Sequence, residues 1–196
     1  MKITKITLEC LKEKNACEGA VKAWEEHGKE PDPIKVIQSA MEINHFNWAN
    51  WLIVRCMNYK QYVSYAVFAA EQVIEIYEKK YPKDDRPRKA IKAAKACIKN
   101  PSKENKAAAA NAAAYAAASA AAYAAVSAAG SAAYAAYAAD AAAATAAAAY
   151  TADAADAADA AYAAYAAAAN TAAATRRKEL QQRIIGHGVN LLEEGR

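Results

Sequence analysis

Three histidines are the residues best able to do acid–base or metal chemistry, and their placement points away from both. His27 closes one helix-like segment, His45 precedes a tryptophan run, and His187 sits in Gly186-His187-Gly188. None has a partner at metal-ligand spacing, and the chain has no HExxH or paired Cys/His motif. Asp153, Asp156 and Asp159 form a row of carboxylates. Rigid i+3 carboxylates on a helix, without the glycine-bearing loop of an EF-hand, make a poor Ca²⁺ cage. They read as a solvated face. The chain carries no GxGxxG, no GxxxxGK[ST] and no GxSxG. The sequence therefore predicts no enzyme, no cofactor and no metal.

Charge offers more. Arg88, Lys92, Lys95, Lys99, Lys103 and Lys106 recur at spacings of three and four, one face of a helix if that helix ran through Pro101. Such a stripe suits phosphates or an acidic protein. It lacks interleaved aromatics, and an acidic segment follows it directly, which argues against nucleic acid. Arg55 lies inside the apolar run Trp51 to Cys56 and needs a partner there, for which Glu71 or Glu75 is expected. Tyrosine is the other candidate, because it gives large contact area at low entropy cost and is enriched at binding hot spots. Seven of the twelve tyrosines fall between 107 and 175. Tyr134 with Tyr137, and Tyr162 with Tyr165, share a three-residue spacing on either side of a presumed turn near Thr151. Rimmed by Asp140 and Asp159, they are the expected partner-binding patch, mildly acidic and suited to a basic partner.

The segment that carries those tyrosines is extreme. Of its 69 residues, 47 are alanine, and it holds no Lys, Arg, Glu, His or Cys. Alanine is the strongest helix former and offers no reactive group. One face of residues 115–137 gathers the hydroxyls and the opposite face is pure alanine, which favours close helix packing. Gly130-Ser131 and Asn170-Thr171 pair a helix-ending residue with a capping one. The expectation is a tract folded back into antiparallel helices rather than one rod. Residues 1–106 hold 20 Lys/Arg against 14 Asp/Glu, whereas the tract holds four Asp and no base.

Everything reads as helix. Thr7 is placed to cap a first helix through Lys14, a second runs from about Ala16 to His27 and stops at Gly28, and Asp32-Pro33 opens a third. That third helix lines up Ile34, Ile37, Ala40 and Met41, and the next lines up Phe46, Trp48, Trp51, Leu52 and Cys56. Tyr62 to Tyr77 is apolar almost all round, the pattern of a central buried helix. Asp85 and Arg86-Pro87 start another, and Asn100-Pro101-Ser102 marks a break. The fold class expected is all-α: a tryptophan-centred helical head at 1–106, then an Ala/Tyr-rich helical extension with a C-terminal helix at 107–196, together one structural unit. No run of large apolar residues is long enough to span a membrane. Met1 to Lys5 lacks a signal-peptide core. Cys10, Cys17, Cys56 and Cys97 form no CxxC, so reduced core thiols and a cytoplasmic location are expected.

Tyr65-Ala66-Val67-Phe68-Ala69-Ala70-Glu71-Gln72-Val73, then Tyr77-Glu78-Lys79-Lys80-Tyr81-Pro82 and Asp84-Asp85-Arg86-Pro87-Arg88-Lys89-Ala90-Ile91, resemble a family of alanine-rich immunity proteins of bacterial and phage genomes. Trp51-Leu52 with Arg55, and Ala96-Cys97-Ile98 with Asn100-Pro101, fit the same pattern. The resemblance covers most of 7–106, and the tract only in composition. It implies a non-enzymatic, cytoplasmic inhibitor that binds a toxin or defence effector and occludes its surface, a counter-defence inhibitor if phage-encoded. It implies no particular binding residues. Two rivals remain. One is ice binding by an Ala-rich helix, against which Thr145, Thr151, Thr171 and Thr175 show no regular repeat. The other is a structural or oligomerisation module.

Overall fold

Local signals close to the chain's start set the first half of the architecture. The computed structural model describes residues 3–109, 111 and 174–195, and the fold is all-α: every element among them is a helix. Helix α1 (Leu8–Glu13) is capped by Thr7, whose Oγ1 accepts from the Cys10 amide at 3.1 Å. Helix α2 (Glu18–Glu26) follows, then α3 (Pro33–Glu42), opened by Asp32 Oδ1 accepting from the Ile34 amide at 2.9 Å. Helix α4 spans Phe46–Cys56.

The first three helices end the same way. The residue after each C-cap is left-handed: Asn15 (φ 56°), Gly28 (φ 87°) and Asn44 (φ 61°). The next amide then reaches back five residues, Ala16 to Leu11 (2.9 Å), Lys29 to Trp24 (3.0 Å) and His45 to Ala40 (2.8 Å). These are Schellman closures, which satisfy the last carbonyls and reverse the chain sharply. Glycine and asparagine enter the left-handed region at least cost.

Helix α5 (Tyr59–Glu71) opens with a reciprocal capping box between Asn58 and Gln61. The sequence expectation of one helix from Tyr62 to Tyr77 holds for burial and fails for continuity. The chain breaks at Gln72-Val73 and restarts as α6 (Ile74–Lys80). At the break the Val73 amide bonds to Ala70 O at 3.1 Å, a tightened turn. The Phe68 carbonyl accepts from both the Gln72 backbone amide at 3.2 Å and the Gln72 side-chain amide at 3.3 Å. Helix α7 (Arg86–Lys99) carries Pro87 in its first turn, and Asn100 is extended where it ends. The chain is helical again from 103 to 109 (α8), with Ser102 Oγ accepting from the Asn105 amide at 3.3 Å.

After the tract, α9 (Ala174–Glu194) returns to the head and inserts among α3, α4 and α5. Ile184 and Ile185 are fully buried there, in the same core as Ile37, Ile53, Val63 and Tyr65. Gly188 permits this approach, because a Cβ at that position would lie 2.6 Å from Ile53 Cδ1 and 2.7 Å from Tyr65 Cε2. Gln61 Nε2 donates to Leu191 O at 2.5 Å, and Arg183 to Gln72 at 3.1 Å. The centre of the core is thus tyrosine and isoleucine. Tyr65 and Tyr77 are fully buried, while Trp24, Trp48 and Trp51 are only half-buried. This corrects the expectation of a tryptophan-centred core.

Candidate binding cleft

The three tryptophans instead line an open cavity of about 530 Å³ between α1, α2, α3 and α4. Each helix contributes one stripe. From α2 and its N-terminal approach come Ala16, Cys17, Ala20, Ala23, Trp24 and His27, all at helical repeats of three and four. Helix α3 gives Val36, Ser39, Ala40 and Ile43, and α4 gives Asn47, Trp48, Trp51 and Leu52. Ile6 and Leu11 form the floor side, and Glu30 and Glu42 also line the space.

The cavity exists because the inward face of α2 is built from small residues. Leucines at Ala16, Ala20 and Ala23 would fill the space; alanines leave it empty. Gly19 of the same helix lies against the Trp48 ring, where an added Cβ would make ordinary contact at 3.4 Å. No residue of α2 is fully buried, and the helix is flanked by left-handed residues at Asn15 and at Gly28 with Lys29. It covers the cleft without closing it. An unfilled apolar volume forfeits dispersion and transfer energy, so packing alone does not explain it.

The tryptophans are held in place. Trp24 Nε1 donates to Glu30 O at 2.7 Å. Trp48 stacks face to face on His45 with ring centroids 3.7 Å apart. Trp51 lies under the Arg55 guanidinium, 4.4 Å from its ring centroid, and Arg55 also donates to Trp51 O at 3.0 Å. Glu71, one of the two partners expected for Arg55 beside Glu75, pairs with Lys95 at 2.6 Å. At the mouth, Ile43 is 45% exposed, the one large apolar side chain so placed among the described residues. Cys17 is also exposed, at the N-cap of α2. Only Cys56 and Cys97 are buried, so the expectation of four core thiols is corrected at Cys17, and Cys10 is half-buried.

All three histidines are engaged in packing or capping. His27 Nδ1 donates to Ala23 O at 2.7 Å, and His45 lies on Trp48. His187 stacks on Phe68 at 4.1 Å, where burial holds its imidazole below the ordinary pKa. Among the described residues no group of three His, Cys, Asp or Glu is placed to hold a metal ion.

The basic stripe is partly neutralised. Arg88, Lys92, Lys95 and Lys99 are all exposed on α7. Arg88 makes a bidentate pair with Glu78 at 2.6 and 2.5 Å, and Lys95 pairs with Glu71. The break at Asn100 leaves Lys103 and Lys106 on a different helix, where Lys106 lies 5.0 Å from the Tyr59 ring centroid. Among the described residues, Lys92 and Lys99 of α7 have no carboxylate partner, unlike Arg88 and Lys95. The residues on which the resemblance rests build a second cluster. Asp84 accepts from Arg86 Nε at 2.8 Å and Nη2 at 2.6 Å, and from the buried Tyr77 hydroxyl at 2.5 Å. The Arg86 hydrogen bonds, with Tyr77 adding to them, hold the Asp84 carboxyl far below the usual range. The run Tyr77 to Arg88 is therefore an architectural clamp between α6 and α7.

Tyr134, Tyr137, Tyr162, Tyr165, Asp140 and Asp159 lie outside the described residues, as does the folding back of the tract. No described helix is long and apolar enough to cross a membrane. The cleft itself was missed by sequence reading. The signal for it was present: alanines at 16, 20 and 23 face tryptophans at 48 and 51, and small residues opposite large ones at that density leave a gap only if nothing else fills it. Comparison with family models, with curated proteins and with solved structures returns no match.

Proposed function

We propose that the chain is a non-enzymatic binding protein that recognises another protein through the tryptophan-lined cleft. Its partner is a toxin or defence effector, neutralised by occlusion of its surface. The observation that carries the reading is the cleft: about 530 Å³ of open, mainly apolar space lined by every tryptophan in the chain. Tryptophan is the residue most enriched among binding hot spots, and hot spots cluster where a pocket desolvates an anchor. Protein interiors are close-packed with few voids larger than a water molecule, so an open apolar volume of this size between helices has the shape of a binding pocket. The use of the histidines in caps and ring stacks supports a binding rather than a catalytic role. The class of partner comes from the sequence resemblance alone.

The test is a dissociation constant. A partner captured from native cells is purified and its affinity measured for the wild-type chain and for Trp48→Ala. Truncation of a hot spot costs about 2 kcal/mol or more, about thirtyfold in affinity. A change under threefold, with the variant folded, places recognition elsewhere on the molecule.

A further inference from the structure

We propose that the cleft takes a positively charged group carried on an apolar stem, a lysine- or arginine-bearing apolar stretch of the partner protein. The inference rests on the reading of the cleft as the recognition site and adds the chemistry of its occupant.

The walls supply two kinds of attraction. Trp24, Trp48 and Trp51 present indole rings, whose faces carry negative quadrupole density and attract cations within about 6 Å. The same head already holds one cation in this way, the Arg55 guanidinium at 4.4 Å from the Trp51 ring centroid. The charged side chains that line the space are both acidic. Glu30 is half-buried and Glu42 stands exposed at the mouth, and no Lys or Arg lines the cleft. Glu30 keeps a fixed position, since its Oε1 accepts from the Asp32 amide at 2.9 Å and its Oε2 lies 3.6 Å from Lys35. The sign extends to the elements themselves. From 8 to 56 the chain carries eight acids and six bases, within a protein of net charge +4. Between these groups the alanines of α2 with Leu52 and Ile43 offer an apolar channel for a stem.

An anionic occupant would meet two carboxylates and the electron-rich indoles of Trp24, Trp48 and Trp51, two of which already carry a stacked imidazole (His45 on Trp48) and a guanidinium (Arg55 on Trp51). A neutral apolar one would use the walls alone and gain nothing from the two carboxylates that line the space. A cation with an aliphatic stem uses both parts, in the way lysine and arginine themselves bury their stems and keep their heads near charge.

The experiment needs no partner. The full chain is titrated with octyltrimethylammonium, octyl sulfate and octanol, each below its micellar concentration. Tryptophan emission and the rate of Cys17 alkylation are followed, the latter because Cys17 is exposed and lines the cleft. The cation is expected to bind saturably, at least tenfold more tightly than the sulfate, and to slow Cys17 alkylation. In a Glu30→Gln, Glu42→Gln double variant, which keeps the acceptor oxygen that Glu30 uses, the preference is expected to fall to within threefold. Ala20→Leu, which puts a leucine side chain into the middle of the cleft where the stem would lie, is expected to abolish the saturable signal. Equal or tighter binding of the sulfate, a preference that survives the double variant, or no saturable signal from the cation would overturn the inference. The two readings fail separately. If Ala20→Leu removes binding of the captured partner while the probes show no charge preference, only the cationic occupant is wrong. If the probes behave as expected and the partner ignores both Trp48→Ala and Ala20→Leu, the proposed function is wrong.

Discussion

Ala20→Leu separates an open binding cleft from ordinary packing because the two give opposite signs of stability. Ala20 lies mid-way along α2 and faces the cavity of about 530 Å³. Leucine adds three carbons, worth about 0.8 kcal/mol each when fully buried. The cleft is open, so roughly half that gain is realised, about 1.2 kcal/mol. Ordering the leucine side chain costs about 0.5–1 kcal/mol, and its slightly lower helix propensity costs about 0.2. The net is a stabilisation of up to about 0.5 kcal/mol, or a rise in melting temperature of about 1–2 °C for a chain of this size. In a filled core the same change would overpack and cost about 1–3 kcal/mol. Thermal unfolding followed by circular dichroism decides between them. Ala23→Leu on the same stripe is a replicate. A fall in melting temperature of several degrees for both variants would refute the claim that the space is open.

Three further predictions rest on other parts of the fold. Gly188→Ala should destabilise by about 1–3 kcal/mol through overpacking against Ile53 and Tyr65. Gly186→Ala, with nothing within 4 Å of its added Cβ, should instead stabilise α9 by up to about 1 kcal/mol, and denaturant melts of the pair test this. Asp84→Asn should cost about 1.5–3 kcal/mol at neutral pH by removing charge-assisted hydrogen bonds to Arg86. Because the folded Asp84 carboxyl is held low, its stabilisation is present above the unfolded value of about 4 and is lost as pH falls through the folded value. Wild type should therefore lose stability on acidification more steeply below about pH 4 than Asp84→Asn. His187 follows the same direction: burial lowers its folded pKa, so its contribution is present above the unfolded value of about 6.5 and declines as pH falls below it. His187→Phe should flatten that part of the profile, measured as melting temperature from pH 5 to 8.

Much of the head was legible because its signals are local. Thr7, Asp32-Pro33 and Gly28 mark helix ends by their own chemistry, and the structure places them there. Ile34, Ile37 and Ala40 are buried as their spacing required, and Tyr62 to Tyr77 forms the buried centre. What escaped depends on distance in sequence. The break at Gln72-Val73 shows as a tightened turn, Val73 N–H to Ala70 O, which no hydrophobic pattern reports. Pairing of Arg88 with Glu78 and of Lys95 with Glu71 spans ten and 24 positions, so the basic stripe read as more highly charged than it is. The docking of α9 joins Gln61 to Leu191 across 130 positions. The cleft escaped for a related reason. Tryptophan in a sequence signals burial, and whether a tryptophan meets a large or a small residue depends on a second helix. Here the second helix is faced with alanine, and the half-burial of all three rings follows.

Modification footprinting of the purified complex tests the central claim most directly. The captured partner is bound to the wild-type chain, and the rate of Cys17 alkylation is measured beside the acylation rates of Lys92 and Lys99. Occupation of the cleft predicts that Cys17 slows at least tenfold while the two lysines keep their rates. Unchanged Cys17 reactivity with protected Lys92 and Lys99 would place the partner on α7 and contradict the account.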